Sequence, residues 1–262
     1  MMDFGFSHAA IAFLAAFTAG AINSVAGGGT LISFPTLVWL GLPSVTANAT
    51  STVAILPGSL AGAWGYRREL RTAERHMLAL VAPSLIGGIS GALLLQHTTP
   101  GFFDKLVPYL IAFATVLFMA QDRVQKALGV GEDASGAAPK HQSAQWLTGA
   151  MAFQFCVGVY GGYFGAGIGI LMLAALSILG LSDIHQMNGL KNIFAFCING
   201  IAAAYFVWAG MVSWPYVAIM AVAAVLGGYF GSGMARKLGR IAVRRVVIGI
   251  GWAMAISLFL KK

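Results

Sequence analysis

The sequence predicts an all-α polytopic membrane protein made of two inverted-topology repeats. Each repeat is expected to be a broken-helix re-entrant hairpin followed by three transmembrane helices. Three observations lead there: long stretches without charge, an internal duplication, and basic loops that change place between the two copies. The chain is 58% hydrophobic and only 9% charged. Phe4–Tyr66, Met77–Phe103 and Asn192–Ala235 contain no Asp, Glu, Lys or Arg. A membrane span needs about 20 apolar residues, so each stretch is long enough for at least one.

The duplication appears on a shift of 140 positions, which lays Leu85–Gly91 (LIGGISG) on Val225–Gly231 (VLGGYFG). With two residues of slack, Gly20–Leu31 (GAINSVAGGGTL) falls on Gly158–Gly169 (GVYGGYFGAGIG). Asn48–Thr52 (NATST) falls on Asn188–Asn192 (NGLKN). The charges do not repeat. Arg67, Arg68, Arg71 and Arg75 follow the second helix of the first copy, where the second copy has the uncharged Trp208–Trp214. Arg236, Lys237 and Arg240 follow the next helix of the second copy, where the first has Gln96–Gly101. Basic residues gather in cytoplasmic loops, so the exchange implies opposite orientations, a plan found in secondary transporters.

The elements follow in order. Repeat 1 (residues 1–121) has apolar segments at Ser7–Leu42, Val45–Tyr66, His76–Gln96 and Asp104–Gln121. Repeat 2 (144–262) has Ala144–Leu181, Ile184–Trp208, Pro215–Ala235 and Ile241–Leu260. Residues 122–143, with GEDASGAAPKHQS, read as a polar cytoplasmic linker with nothing to bury. Four simple spans per copy leave both copies in the same orientation, so something must turn each chain back. The first segment of each repeat, about 36 residues, is too long for one span and too short for two. Each is interrupted by glycine, at Ala26–Gly29 and Gly161–Gly169, and glycine disfavours helix interiors. Two half-helices meeting at a tip inside the membrane satisfy the count. A long tilted helix with a glycine packing face is the alternative. Both termini are then outside and the linker inside. Pro57-Gly58 is expected to kink the second helix of repeat 1, and Asn199-Gly200 falls two residues past the matching point in repeat 2.

GAINSVAGGGTLISFP followed by LGLPSVTANATS, and GGYFGAGIGIL followed by LGLSDIHQMNGLKN, resemble the TauE/SafE family of membrane permeases. The resemblance runs through nearly the whole chain, in order, in both repeats. It implies a permease for small sulfur-containing anions such as sulfite, thiosulfate or sulfonates, in the cell inner membrane.

Side-chain chemistry points to an anion independently. Helices beginning near Thr30 and Ile168 start at glycine breaks, where unpaired amides and the helix dipole favour negative charge. Gly27, Gly28, Gly29, Gly165 and Gly167 allow close approach of a ligand to backbone, or serve helix packing alone. Lys191 sits seven residues into its helix beside Asn188 and Asn192. An intramembrane lysine costs about 2.5–3.5 kcal/mol on insertion scales and faces a pathway or a partner, unless it snorkels to the interface. Asn48, Thr50, Ser51 and Thr52 form the matching polar cluster, able to bond oxyanion oxygens or their own backbone. Asn23 and Ser24, at the first break, either line the site or cap the helix.

Other classes lack their signatures. The net charge of +8 sits at helix ends, where membrane sorting and lipid head groups account for it, and nucleic acid is not an expected partner. Cys156 and Cys197 are far apart without CxxC spacing, so no disulfide framework, metal or cofactor is expected. Met1–Gly5 holds no Lys or Arg, against a cleaved basic leader. There is no HExxH and no ATP-binding GxxxxGKS/T motif. A membrane-embedded enzyme or a structural subunit of a complex are the alternatives, and homo-oligomerisation is left open.

The topology has a direct test. In a background lacking Cys156 and Cys197, single cysteines at Gly210 and Gln96 should react with an impermeant thiol reagent from outside intact cells. Cysteines at Arg71 and Gly239 should react only after the membrane is opened. The opposite pattern at Gly210 and Gly239 restores parallel copies.

Overall fold

The protein is described by a computed structural model covering residues 5–25, 28–65, 75–127, 144–178, 181, 184–238 and 240–260. Among these residues it is built from helices. They are α1 (Phe6–Val25), α2 (Thr30–Trp39), α3 (Ser44–Gly65), α4 (Val81–His97) and α5 (Pro100–Ala127). The second half repeats the series as α6 (Ala144–Tyr163), α7 (Ile168–Ile178), α8 (Ile184–Trp208), α9 (Trp214–Leu238) and α10 (Arg240–Leu260). A short 3-10 segment, Arg75–Leu80, leads into α4. Four helices contain uninterrupted apolar stretches long enough to cross a membrane: Phe6–Asn23, Leu78–His97, Pro100–Ala120 and Gln186–Trp208.

Both glycine breaks fall where the sequence places them, but the two arms are unequal. α1 and α6 have 20 residues each, while α2 has 10 and α7 has 11. At 1.5 Å per residue the first arm is about 30 Å long and the second about half that. The break lies two-thirds of the way along each segment, so only the second arm is short. The chain does turn back at the break. A Cβ on Gly29 would overlap the carbonyl of Ala19, and ten residues of continuous helix would separate these positions by about 15 Å.

Helix packing repeats when the halves are exchanged. α1 packs on α9, and its counterpart α6 packs on α4; α3 packs on α9, and α8 on α4. α3 also packs on α8, and α5 on α10. Glycine makes the main seams possible. A Cβ on Gly87 would lie 2.5 Å from the carbonyl oxygen of Phe155, and one on Gly227 would overlap that of Phe17. Further along, Gly91 meets Val159 and Gly162, so α4 and α6 run in the same direction. Gln154 adds a buried cross-link, its Nε2 donating to Ser84 Oγ at 2.8 Å. α4 and α8 are also parallel: Gly88 lies against Ile198 and Ile201, and the Tyr205 hydroxyl bonds Gln96 near both C-termini.

The interior is apolar. Phe34, Phe103, Phe118, Phe164 and Phe206 are fully buried, with Phe34 and Phe164 in edge-to-face contact at 5.2 Å. That pair joins α2 to the second break and clamps one half against the other. The outward faces carry Phe102, Tyr109, Val222 and Ile256, as suits a surface solvated by lipid. α3 remains helical through Pro57, and α8 through Asn199-Gly200.

Glycine substitutions separate close packing from ordinary helix propensity. Gly87→Ala and Gly227→Ala should each destabilise the detergent-solubilised protein by about 1–3 kcal/mol, the cost of overpacking. Gly101→Ala and Gly249→Ala have no atom within 4 Å of the new methyl. They should be neutral or stabilising, by up to about 1 kcal/mol. Thermal melts of the four variants check the signs.

Candidate functional site

Each break is held by one side chain of its long arm. In the first, Asn23 Oδ1 accepts the Gly29 N–H at 2.8 Å. In the second, the Tyr160 hydroxyl donates to the carbonyl of Ala166 at 2.7 Å. Both bonds close six residues, and glycines within or next to these turns take left-handed conformations that other residues avoid. Gly28 has φ +95°, and Gly165 and Gly167 both have φ +79°. Thr30 and Ile168 then begin α2 and α7. First-turn amides have no intrahelical acceptor, and those of Ile168 and Gly169 have no backbone acceptor among the described residues.

The two tips meet around one cavity of about 60 Å³. From the first tip come Asn23, Gly28 and Thr30, and from the second Gly165, Gly167, Ile168 and Gly169. α3 supplies Ile55 and Gly58, and α8 supplies Lys191, Asn192, Ala195 and Asn199. A water needs roughly 10–15 Å³ on this kind of measure, so the space suits a ligand of a few heavy atoms. Lys191 is only 7% exposed. Its Nζ donates to Asn188 Oδ1 at 3.0 Å. Its alkyl chain passes Gly169, where an added Cβ would lie 3.3 Å from Lys191 Cδ. The missing side chain at Gly169 thus leaves the lysine room beside the second tip. With Asn23 Oδ1 engaged by Gly29, its Nδ2 adds two donors to the lining. The lining is rich in donors and contains no carboxylate among the described residues.

The family model described as "Sulfite exporter TauE/SafE" matches residues 12–258. The chain belongs to the TauE/SafE family. A "Probable membrane transporter protein" of Haemophilus influenzae is 26% identical over 97% of this chain and 95% of its own length. "Probable membrane transporter protein ORF9" of a Sinorhizobium species is 25% identical over 98% and 95%. "Probable membrane transporter protein YfcA" of Escherichia coli K12 is 24% identical over 95% and 88%. No solved structure matches. Family and relatives together describe a membrane transporter of the TauE/SafE type.

Within this TauE/SafE chain, seven sequence-predicted site residues come together on the cavity: Asn23, Gly28, Thr30, Gly165, Gly167, Lys191 and Asn192. Asn188 stands behind Lys191 as its hydrogen-bond partner, and Gly29 supports the first tip through Asn23. The α3 cluster does different work. Ser51 Oγ lies 2.6 Å from Ser33 Oγ, Thr52 donates back to the carbonyl of Asn48, and Thr50 Oγ1 accepts the Ser213 N–H. Asn48, 1% exposed, donates to the carbonyl of Tyr163 at 2.9 Å, and its Oδ1 has no partner among the described residues. None of these four lines the cavity. Gly27 and the Ser24 side chain lie outside the described residues.

Ile55, Gly169 and Ala195 are not among the residues the sequence points to; Ile168 is expected there only as a helix start, and Gly58 and Asn199 only at kinks. A signal existed: Lys191, Ala195 and Asn199 follow one another at four-residue steps, which places them on one helix face. The same step from Ser51 on α3 gives Ile55.

The tip latches are open to test. Asn23→Ala leaves the Gly29 amide without its acceptor and should cost about 1–3 kcal/mol of stability. Tyr160→Phe removes only a hydroxyl and should cost about 1 kcal/mol. Detergent melts measure both, and an unchanged Asn23→Ala melt would mean that the first tip does not need its latch.

Proposed function

We propose that this protein is a secondary transporter for a small sulfur-containing oxyanion such as sulfite, thiosulfate or a small sulfonate. It works by alternating access in the inner membrane, in the direction of export. The carrying observation is the convergence of two helix starts and the buried Lys191 on one cavity. Helix N-termini favour anions through their amides and dipole, and the ammonium adds a full charge. Asn23, Thr30, Asn192 and Asn199 offer further polar contacts at the same place.

Alternating access rests on two inverted repeats, residues 1–121 and 144–262, joined by the polar linker 122–143. Helix directions support the inversion. The Thr50–Ser213 bond joins the second turn of α3 to the loop that follows α8, while Lys191, near the start of α8, shares the cavity with Ile55 and Gly58 further along α3. The equivalent helices α3 and α8 therefore oppose one another. In this arrangement the unequal hairpins enter from opposite faces, and the irregular backbone at their tips is packed against protein, as the membrane interior requires. Export follows from charge: an inside-negative potential of 100 mV favours outward movement of one negative charge by about 2.3 kcal/mol.

Purified protein in liposomes should move sulfite, thiosulfate or a small sulfonate, which a structural subunit or an enzyme does not do. The same anions should raise the melting temperature, as any ligand confined to the native state does. Sodium chloride at matched ionic strength should do much less. Lys191→Met should fold and lose binding at least tenfold, and Lys191→Arg should be intermediate, since a planar guanidinium replaces a compact charge. Full transport by a well-expressed Lys191→Met protein removes the lysine from the site.

A further inference from the structure

The cavity is polar at one end and apolar at the other. Lys191 stands beside the start of α7, its alkyl chain passing Gly169. On α8 the same face continues to Ala195, one turn or about 6 Å further on, and both residues line the cavity. α3 runs the opposite way. Thr50 Oγ1 accepts the Ser213 N–H just past the end of α8, and Ile55 lies about 8 Å along α3 from that bond. Lys191 is about 26 Å back along α8 from its last residue, Trp208. Ile55 therefore closes the end of the cavity away from the lysine.

Ile55 and Ala195 are equivalent positions of the duplication, since the shift that lays Asn48–Thr52 on Asn188–Asn192 carries one onto the other. One repeat puts a branched side chain there and the other a methyl group. Ile55 is buried and packs on Ala19 of α1 and Ala224 of α9. Those two helices already touch behind it: a Cβ on Gly20 would overlap the carbonyl of Ala224. A wall resting on backbones in contact has little room to yield.

We propose that Ile55 and Ala195 form a tail subsite that sets the length of organic group a sulfonate can carry into the site. The inference rests on the anion-site reading above and adds a determinant of specificity to it. The sulfonate oxygens lie by Lys191 and the first amides of α7, and the alkyl group turns along Ala195 toward Ile55. An alkyl group gains by leaving water for such a surface. Ala195 supplies the space, and Ile55 ends it. One or two carbons fit beside the Ala195 methyl, whereas a longer chain must displace Ile55, which cannot retreat. A single methylene too many or too few in an apolar pocket changes recognition by roughly 10–200-fold.

Calorimetric titration with methane-, ethane- and butanesulfonate reads the subsite. The purified protein should bind the first two within tenfold of each other, and butanesulfonate at least tenfold more weakly than ethanesulfonate. Ile55→Ala should close that gap by tenfold, because the touching backbones behind it keep the new space from collapsing. Ala195→Leu fills the room and should weaken ethanesulfonate at least tenfold relative to methanesulfonate. An unchanged ratio in either folded variant overturns the tail subsite, as does equal binding of butane- and ethanesulfonate by the unmodified protein. If sulfite binds and no alkanesulfonate does, the subsite falls and the anion site stands. If none of these anions binds, the anion site is wrong as well. Should Ile55→Ala fail to fold, Ile55→Val, which removes one methylene, should close the gap by about threefold, and no change there is equally decisive.

Discussion

A backbone amide in hydrocarbon must find a partner within the protein, and this constraint shapes both halves of the molecule. A regular helix meets it automatically; a helix broken at glycine does not. At the two breaks the chain spends a dedicated side chain, Asn23 on one and Tyr160 on the other, to close the turn across six residues. The two solutions are chemically different. Asn23 accepts from an amide, whereas Tyr160 donates to a carbonyl. The two breaks thus share the need for a latch but not its chemistry. What remains unspent at the tips is the start of each short helix, and both starts face the same cavity.

That cavity owes its position to the glycine seams. α1 on α9 and α4 on α6 approach so closely that a single methyl on Gly227 or Gly87 would meet a facing carbonyl. Each seam joins a long arm from one half to a helix from the other. The halves are consequently interleaved rather than side by side, and the hairpin tips are carried to a common centre. α5 completes the enclosure: Phe118 packs where Gly28 has no side chain, and Leu117 and Ala114 lie against Gly167.

The two halves diverge where the chemistry is. Lys191 corresponds in the duplication to Ser51, which is occupied by Ser33 at 2.6 Å. Asn188 supports the lysine, whereas its counterpart Asn48 reaches across to the carbonyl of Tyr163 at the end of α6. The same polar cluster thus faces the cavity in one half and fastens helices together in the other. A perfectly symmetric protein would have two lysines or none. Among the described lining residues Lys191 is the one ionisable side chain, and it comes from a helix whose counterpart contributes Ile55 and Gly58.

Membrane class, the position of both breaks and the order of the helices were legible in the sequence, because they depend on local quantities. Apolar run length fixes a span, and clustered glycine fixes a break wherever the rest of the chain goes. Lys191 was legible for the same reason, since a buried ammonium is conspicuous in any apolar helix. The roles of Asn48, Thr50, Ser51 and Thr52 were not legible. A hydroxyl or amide at a given position serves a ligand or a neighbouring helix according to which face is turned inward, and that is set by contacts more than a hundred residues away, as Asn48–Tyr163 and Thr50–Ser213 illustrate. Asn199 and Gly169 escaped for the complementary reason: a four-residue step from Lys191 or a glycine in a break marks a face or a turn but not what it meets, and they line the cavity because the second tip folds back against α8. Local composition settles what each segment is, whereas which polar groups meet depends on helix packing, because side chains distant in the chain become neighbours through the close approach of helices.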